Sequence, residues 1–170
     1  MIRRFLDRLY DGAAWLAALF LVGTLAMVLT AIAGRWLGFL LPGTDAYAGY
    51  CMAASGFLAL AHTFRRNEHI RVTLVIDRLA GGARRGLELW ALGAGTLLAA
   101  LFAWFSARLA WQSFEFNDIS TANDATPLWI PQLAMAIGTA VFLVAMTDAL
   151  VAEWRGRRSH GAPAEALHHE

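Results

Sequence analysis

Lysine is absent from this chain of 170 residues, so its 14 basic side chains are all arginines. Charged residues of both signs amount to only 16%, where a soluble domain carries about a quarter. The formal net charge is +1, which gives no electrostatic reason to expect a nucleic acid or an acidic partner. Cysteine occurs once, as Cys51 within an apolar stretch. A single cysteine excludes an internal disulfide and any CxxC metal spacing, and it reads as a small packing residue. Missing too are a Gly-rich phosphate loop, paired catalytic carboxylates and a nucleophile elbow. The expectation is therefore a protein that is not an enzyme and holds no cofactor.

What the chain has in abundance is apolar sequence, 58% of its residues. Uncharged stretches cover 12–34, 46–64, 89–107 and 125–147. A helix needs about 20 apolar residues to cross the hydrocarbon core, and soluble helices rarely stay uncharged on every face for that long. The predicted fold is all-α, an integral membrane protein with four transmembrane helices and a short amphipathic interfacial helix between the second and third. The transmembrane domain is expected over 1–152, and 153–170 is expected to be a disordered cytoplasmic tail. Arg3, Arg4 and Arg8 before the first stretch, and Ala31-Ile32-Ala33 within it, resemble a signal peptide. The stretch is well beyond the ~7–15 residues of a signal core, so it is read as a retained span.

The arginines assign an orientation. Arg3, Arg4 and Arg8 lie before the first span, six more lie between the second and third, and Arg155, Arg157 and Arg158 follow the fourth. The other two connections hold only Arg35 and Arg108. The positive-inside rule makes the arginine-rich side, with both termini, cytoplasmic. Tryptophans agree, because Trp15, Trp90 and Trp154 fall near the cytoplasmic span ends and Trp36, Trp104, Trp111 and Trp129 near the opposite ends. Indoles prefer the headgroup interface. The central connection mixes Ile70, Leu74, Ile76 and Leu79 with Arg71, Asp77 and Arg78, which fits an amphipathic element over 68–79 lying in the interface. Pro127 and Pro131 bracket the start of the fourth span, where proline is tolerated.

Ionisable residues within spans usually mark ion or substrate paths, and here they are nearly confined to span ends. A proton-coupled exporter would need a membrane-embedded carboxylate. A haem-binding subunit would need two axial histidines, and only His62 is near a span. A scaffold, anchor or accessory subunit remains. Arg35 and Asp45, at the outer end of the first span and the start of the second, are candidates for an ion pair, against the plainer reading that Arg35 snorkels to the headgroups.

Several stretches resemble one family in order and spacing. They are Gly34-Arg35 closing the first span, Asp45 and Tyr50 opening the second, and Phe57-Leu58-Ala59-Leu60-Ala61 running into Arg65-Arg66-Asn67-Glu68-His69-Ile70-Arg71-Val72. Pro127-Leu128-Trp129-Ile130-Pro131 then opens the fourth. Over roughly 10–152 the chain resembles the small, DctQ-type membrane subunit of tripartite ATP-independent periplasmic (TRAP) transporters. It departs from the family pattern at Thr73, at the single acidic Asp45 and at Asn123-Asp124.

The resemblance implies a membrane scaffold in the bacterial inner membrane. Its partners would be a large TRAP membrane subunit and a periplasmic substrate-binding protein. The system would take up organic acids of the dicarboxylate type by sodium symport. The structural or interface candidates are Arg35, Asp45, Arg66, His69, Pro127 and Pro131. The alternative is the membrane anchor subunit of a redox enzyme complex.

Overall fold

A computed structural model describes residues 2–39, 41–65, 82–122 and 125–156. The interfacial element expected over 68–79 lies outside the described residues, as do Arg66 and His69. The described residues form four helices: α1 (Ile2–Leu37), α2 (Thr44–Arg65), α3 (Gly82–Glu115) and α4 (Trp129–Trp154). No strand occurs among them, only an isolated antiparallel bridge between Ile119 and Pro127.

Three of the helices, α1, α3 and α4, are long and apolar enough to cross a membrane. α2 falls short of that hydropathy. Its 22 residues are diluted by Tyr47, Gly49, Tyr50, Ser55, Gly56 and His62. These small and polar residues suit contact with other helices rather than with lipid.

Helix ends follow local chemistry. α1 runs past Arg35 to Leu37 and stops at Gly38, whose φ of 77° places it in the left-handed region. The Phe39 N–H donates to the Gly34 carbonyl at 3.0 Å, closing a Schellman-type cap. A Cβ on Gly34 would stand 2.8 Å from the Phe39 oxygen, so the reversal needs glycine there. α4 begins at Trp129, four residues after the apolar stretch does. The delay arises because Ser120 donates its N–H to the Thr126 carbonyl (2.8 Å) and Leu128 to that of Asp118 (2.9 Å). Residues 118–120 and 126–128 are thereby paired with each other rather than drawn into the helix.

α1 packs on α2, α2 on α4 and α4 on α3, giving a row in the order α1, α2, α4, α3, with a slighter α1–α4 contact at one end. Small residues set the closest approaches. A Cβ on Gly138 of α4 would lie 2.6 Å from the backbone of Phe57 in α2, so these two backbones touch. Gly23 of α1 faces the Cys51 sulfur, which a Cβ there would meet at 3.4 Å. This is how membrane helices associate when no hydrophobic effect drives them together.

Candidate functional site: the two ends of the helix row and its uncovered flanks

Both the start of α1 and the end of α4 lie at one end of the row, with the end of α2 and the start of α3. Polar contacts join these helix ends in two pairs, α1 with α2 and α3 with α4. Arg65 of α2 forms an ion pair with Asp7 of α1, and its guanidinium lies over the Tyr10 ring, 5.0 Å from the centroid. His62 Nδ1 stands 3.8 Å from Asp11 Oδ1. Arg85 at the start of α3 donates to the Trp154 carbonyl at the end of α4 at 3.1 Å. That contact also covers one of the carbonyls that a helix C-terminus leaves unpaired. Beneath this charged end sits a core of Tyr10, Ala13, Ala61, Val141 and Ala145.

The opposite end is tied by neutral hydrogen bonds. The Tyr50 hydroxyl donates to Ser120 Oγ at 2.9 Å, and Thr126 Oγ1 donates to the Tyr47 hydroxyl at 3.2 Å. The rings of Tyr47 and Tyr50 meet edge to face, as do those of Phe114 and Trp129. The α3–α4 turn is thus fastened onto the first turns of α2.

Arg35 and Asp45 are placed at this end. Both are exposed, and no ion pair joins them. Between them the chain reverses through Gly38 and Gly43, both with positive φ. The pair expected from the sequence is therefore not formed in this structure. Pro127 is exposed in the turn and accepts the Ile130 N–H at its carbonyl, 3.2 Å. Pro131 lies in the first turn of α4, where a missing N–H leaves no helix bond unmade.

Sequence reasoning overlooked Tyr10, which is only 1% exposed. The signal was present. Leu6, Tyr10, Ala13 and Ala17 follow each other at helical spacing, and Tyr10, Ala13 and Ala17 are buried. The nearby charges concealed that stripe from a count of apolar length.

The flanks of the row are uncovered. Large apolar side chains such as Leu19, Leu25 and Leu29 on α1, and Leu97, Leu98 and Phe105 on α3, face outward. The exposed tryptophans mark a band along these two helices. Trp15 and Trp36, 79% and 89% exposed, lie about 31 Å apart along α1 at about 1.5 Å per residue. Trp90 and Trp111 have the same spacing on α3. A bilayer core is about 30 Å thick, so indole belts at this spacing match a membrane. α1 extends outward past Trp15 by roughly 20 Å, which carries Arg3, Asp7 and Tyr10 to headgroup level or beyond.

A family model for tripartite ATP-independent periplasmic transporters, DctQ component, matches residues 24–156. The chain belongs to the DctQ family. The match begins midway along α1 and covers α2, α3 and α4 to their ends. No individually curated protein matches the chain. DctQ is a family of transporter components. Among the described residues no group of three or more His, Cys, Asp or Glu is placed to hold a metal ion.

Proposed function

We propose that this DctQ protein is the small permease subunit of a TRAP transporter and acts as a membrane scaffold for the large transport subunit. The observation that carries the reading is the family match over residues 24–156, joined to a helix row whose outer helices leave their apolar faces uncovered. A chain that moved a solute alone would need polar groups lining a path through it. Here the charged side chains gather at the helix ends. In this reading α2 crosses the membrane with the helices that flank it, giving four spans. Sodium coupling and an organic acid substrate of the dicarboxylate type belong to the partner subunits, and a periplasmic binding protein delivers the substrate.

The arginine asymmetry supports the bacterial inner membrane with both termini cytoplasmic. Arg66 and His69 would then lie on the cytoplasmic side, and Arg35, Asp45, Pro127 and Pro131 on the periplasmic side where a binding protein docks. An alkaline phosphatase fused after Gly156 is expected to be inactive and one inserted near Ser120 active, and the reverse pattern would contradict the orientation. The scaffold role is tested by co-purification. A tagged copy of this chain should retain the large subunit encoded with it through detergent extraction, and a chain isolated alone under mild conditions would contradict the assignment.

A further inference from the structure

Between α1, α2 and α4, at the charged end, lies a cavity of about 180 Å³. Arg3 and Tyr10 of α1, Arg65 of α2 and Asp148 of α4 line it, with Ala145 and Ala149 on the α4 side. Tyr10 is 1% exposed, yet its buried hydroxyl has no hydrogen-bond partner among the described residues. Buried hydroxyls are nearly always paired, and this one lines a cavity with room for an external acceptor.

The charges around the cavity narrow the ligand. Arg65, over the Tyr10 ring, and Arg3 offer N–H donors to an anion. Asp148, exposed on the opposite wall, would repel a simple anion and attract an ammonium group. A ligand carrying a phosphate and a primary ammonium a few ångströms apart satisfies both walls. Depth agrees with a lipid source. Tyr10 lies about 7 Å outward of the exposed Trp15 along α1, and indoles sit at the interface with phosphates just beyond. Basic pockets between membrane helices are known receptors for lipid headgroups. Arg3 and Tyr10 both precede the residues matched by the family, so family membership does not account for this cleft.

We propose that the cleft binds the phosphoethanolamine headgroup of a membrane lipid. The phosphate oxygens accept from the Tyr10 hydroxyl and from Arg65 and Arg3, and the ammonium donates to Asp148. Arginine pairs phosphate through its planar fork, and the Tyr10 hydroxyl fixes the depth at which the phosphate rests.

The test uses the full chain in nanodiscs containing phosphatidylethanolamine, phosphatidylglycerol and phosphatidylcholine in equal parts. Lipid retained after extraction into detergent is read by native mass spectrometry. Phosphatidylethanolamine should be retained in preference to the other two. Phosphatidylglycerol lacks the ammonium, and phosphatidylcholine carries an ammonium without an N–H. Tyr10→Phe keeps the ring under Arg65 and should lower retention on the order of tenfold, the loss of one charge-assisted hydrogen bond. Asp148→Asn should abolish the preference for phosphatidylethanolamine over phosphatidylglycerol, and circular dichroism should show both variants as helical as the parent. Equal retention of all three lipids, or retention indifferent to both substitutions, overturns the proposal. So does inorganic phosphate raising the thermal midpoint as much as the lipid does.

Discussion

At the scale of single residues, two pairs of opposite charge behave differently, and only the pair that does not form was suggested by the sequence. Asp7 and Arg65 are far apart in the chain and meet in space, whereas Arg35 and Asp45 are close in the chain and do not. The difference lies in helix register. Arg65 meets Asp7 in the second turn of α1 and lies over the Tyr10 ring, while Arg35 and Asp45 flank the chain reversal at Gly38 and Gly43 and are both exposed. Both side chains of the Asp7–Arg65 pair are more than a third exposed, so screening limits their coupling to roughly 0.2–1 kcal/mol. Double-mutant cycles to alanine, read by thermal unfolding in micelles, should return that coupling for Asp7–Arg65 and additive losses for Arg35–Asp45. A larger coupling for the second pair would mean that the two meet in the membrane-embedded state.

At the scale of elements, the crossing of α2 and α4 is the tightest contact in the row. Gly138 has no room for a Cβ, because the Phe57 backbone stands 2.6 Å from where it would be. Gly95 of α3 looks equivalent in sequence, yet its Cβ would meet only Met146 Cε, the far end of a flexible side chain. Gly138→Ala should therefore destabilise by about 1–3 kcal/mol through overpacking, while Gly95→Ala should be close to neutral or slightly stabilising through helix propensity. Comparable midpoints for the two variants would contradict the backbone contact. The elements themselves were largely legible before the structure, because lipid demands long uncharged runs and such runs occur four times. Their ends were less so. The N-terminal charges of α1 interrupt apolar length but not the helix, so α1 begins about ten residues earlier than its uncharged stretch. Residues 125–128 are uncharged yet non-helical, because loop pairing with 118–120 competes for them. The Tyr50–Ser120 bond joins residues 70 positions apart, and no local pattern announces it.

At the scale of the whole molecule, the order α1, α2, α4, α3 turns two long apolar helices outward and leaves no enclosed bundle among the described residues. A row with both flanks uncovered presents apolar surface outward, and its two ends are sealed by different chemistry. Ion pairs and cation–π contacts hold the arginine-rich end, and tyrosine hydroxyls hold the other. The DctQ assignment gives that shape a purpose, since the component belongs to a transporter of three parts. In the proposed role this chain supports transport without performing it. The most direct test is uptake of a labelled organic acid into proteoliposomes with an inward sodium gradient and the binding protein outside. Vesicles holding this chain together with its large subunit should accumulate the substrate, and vesicles holding either one alone should not. Uptake by this chain alone, or undiminished uptake by the large subunit without it, would contradict the account.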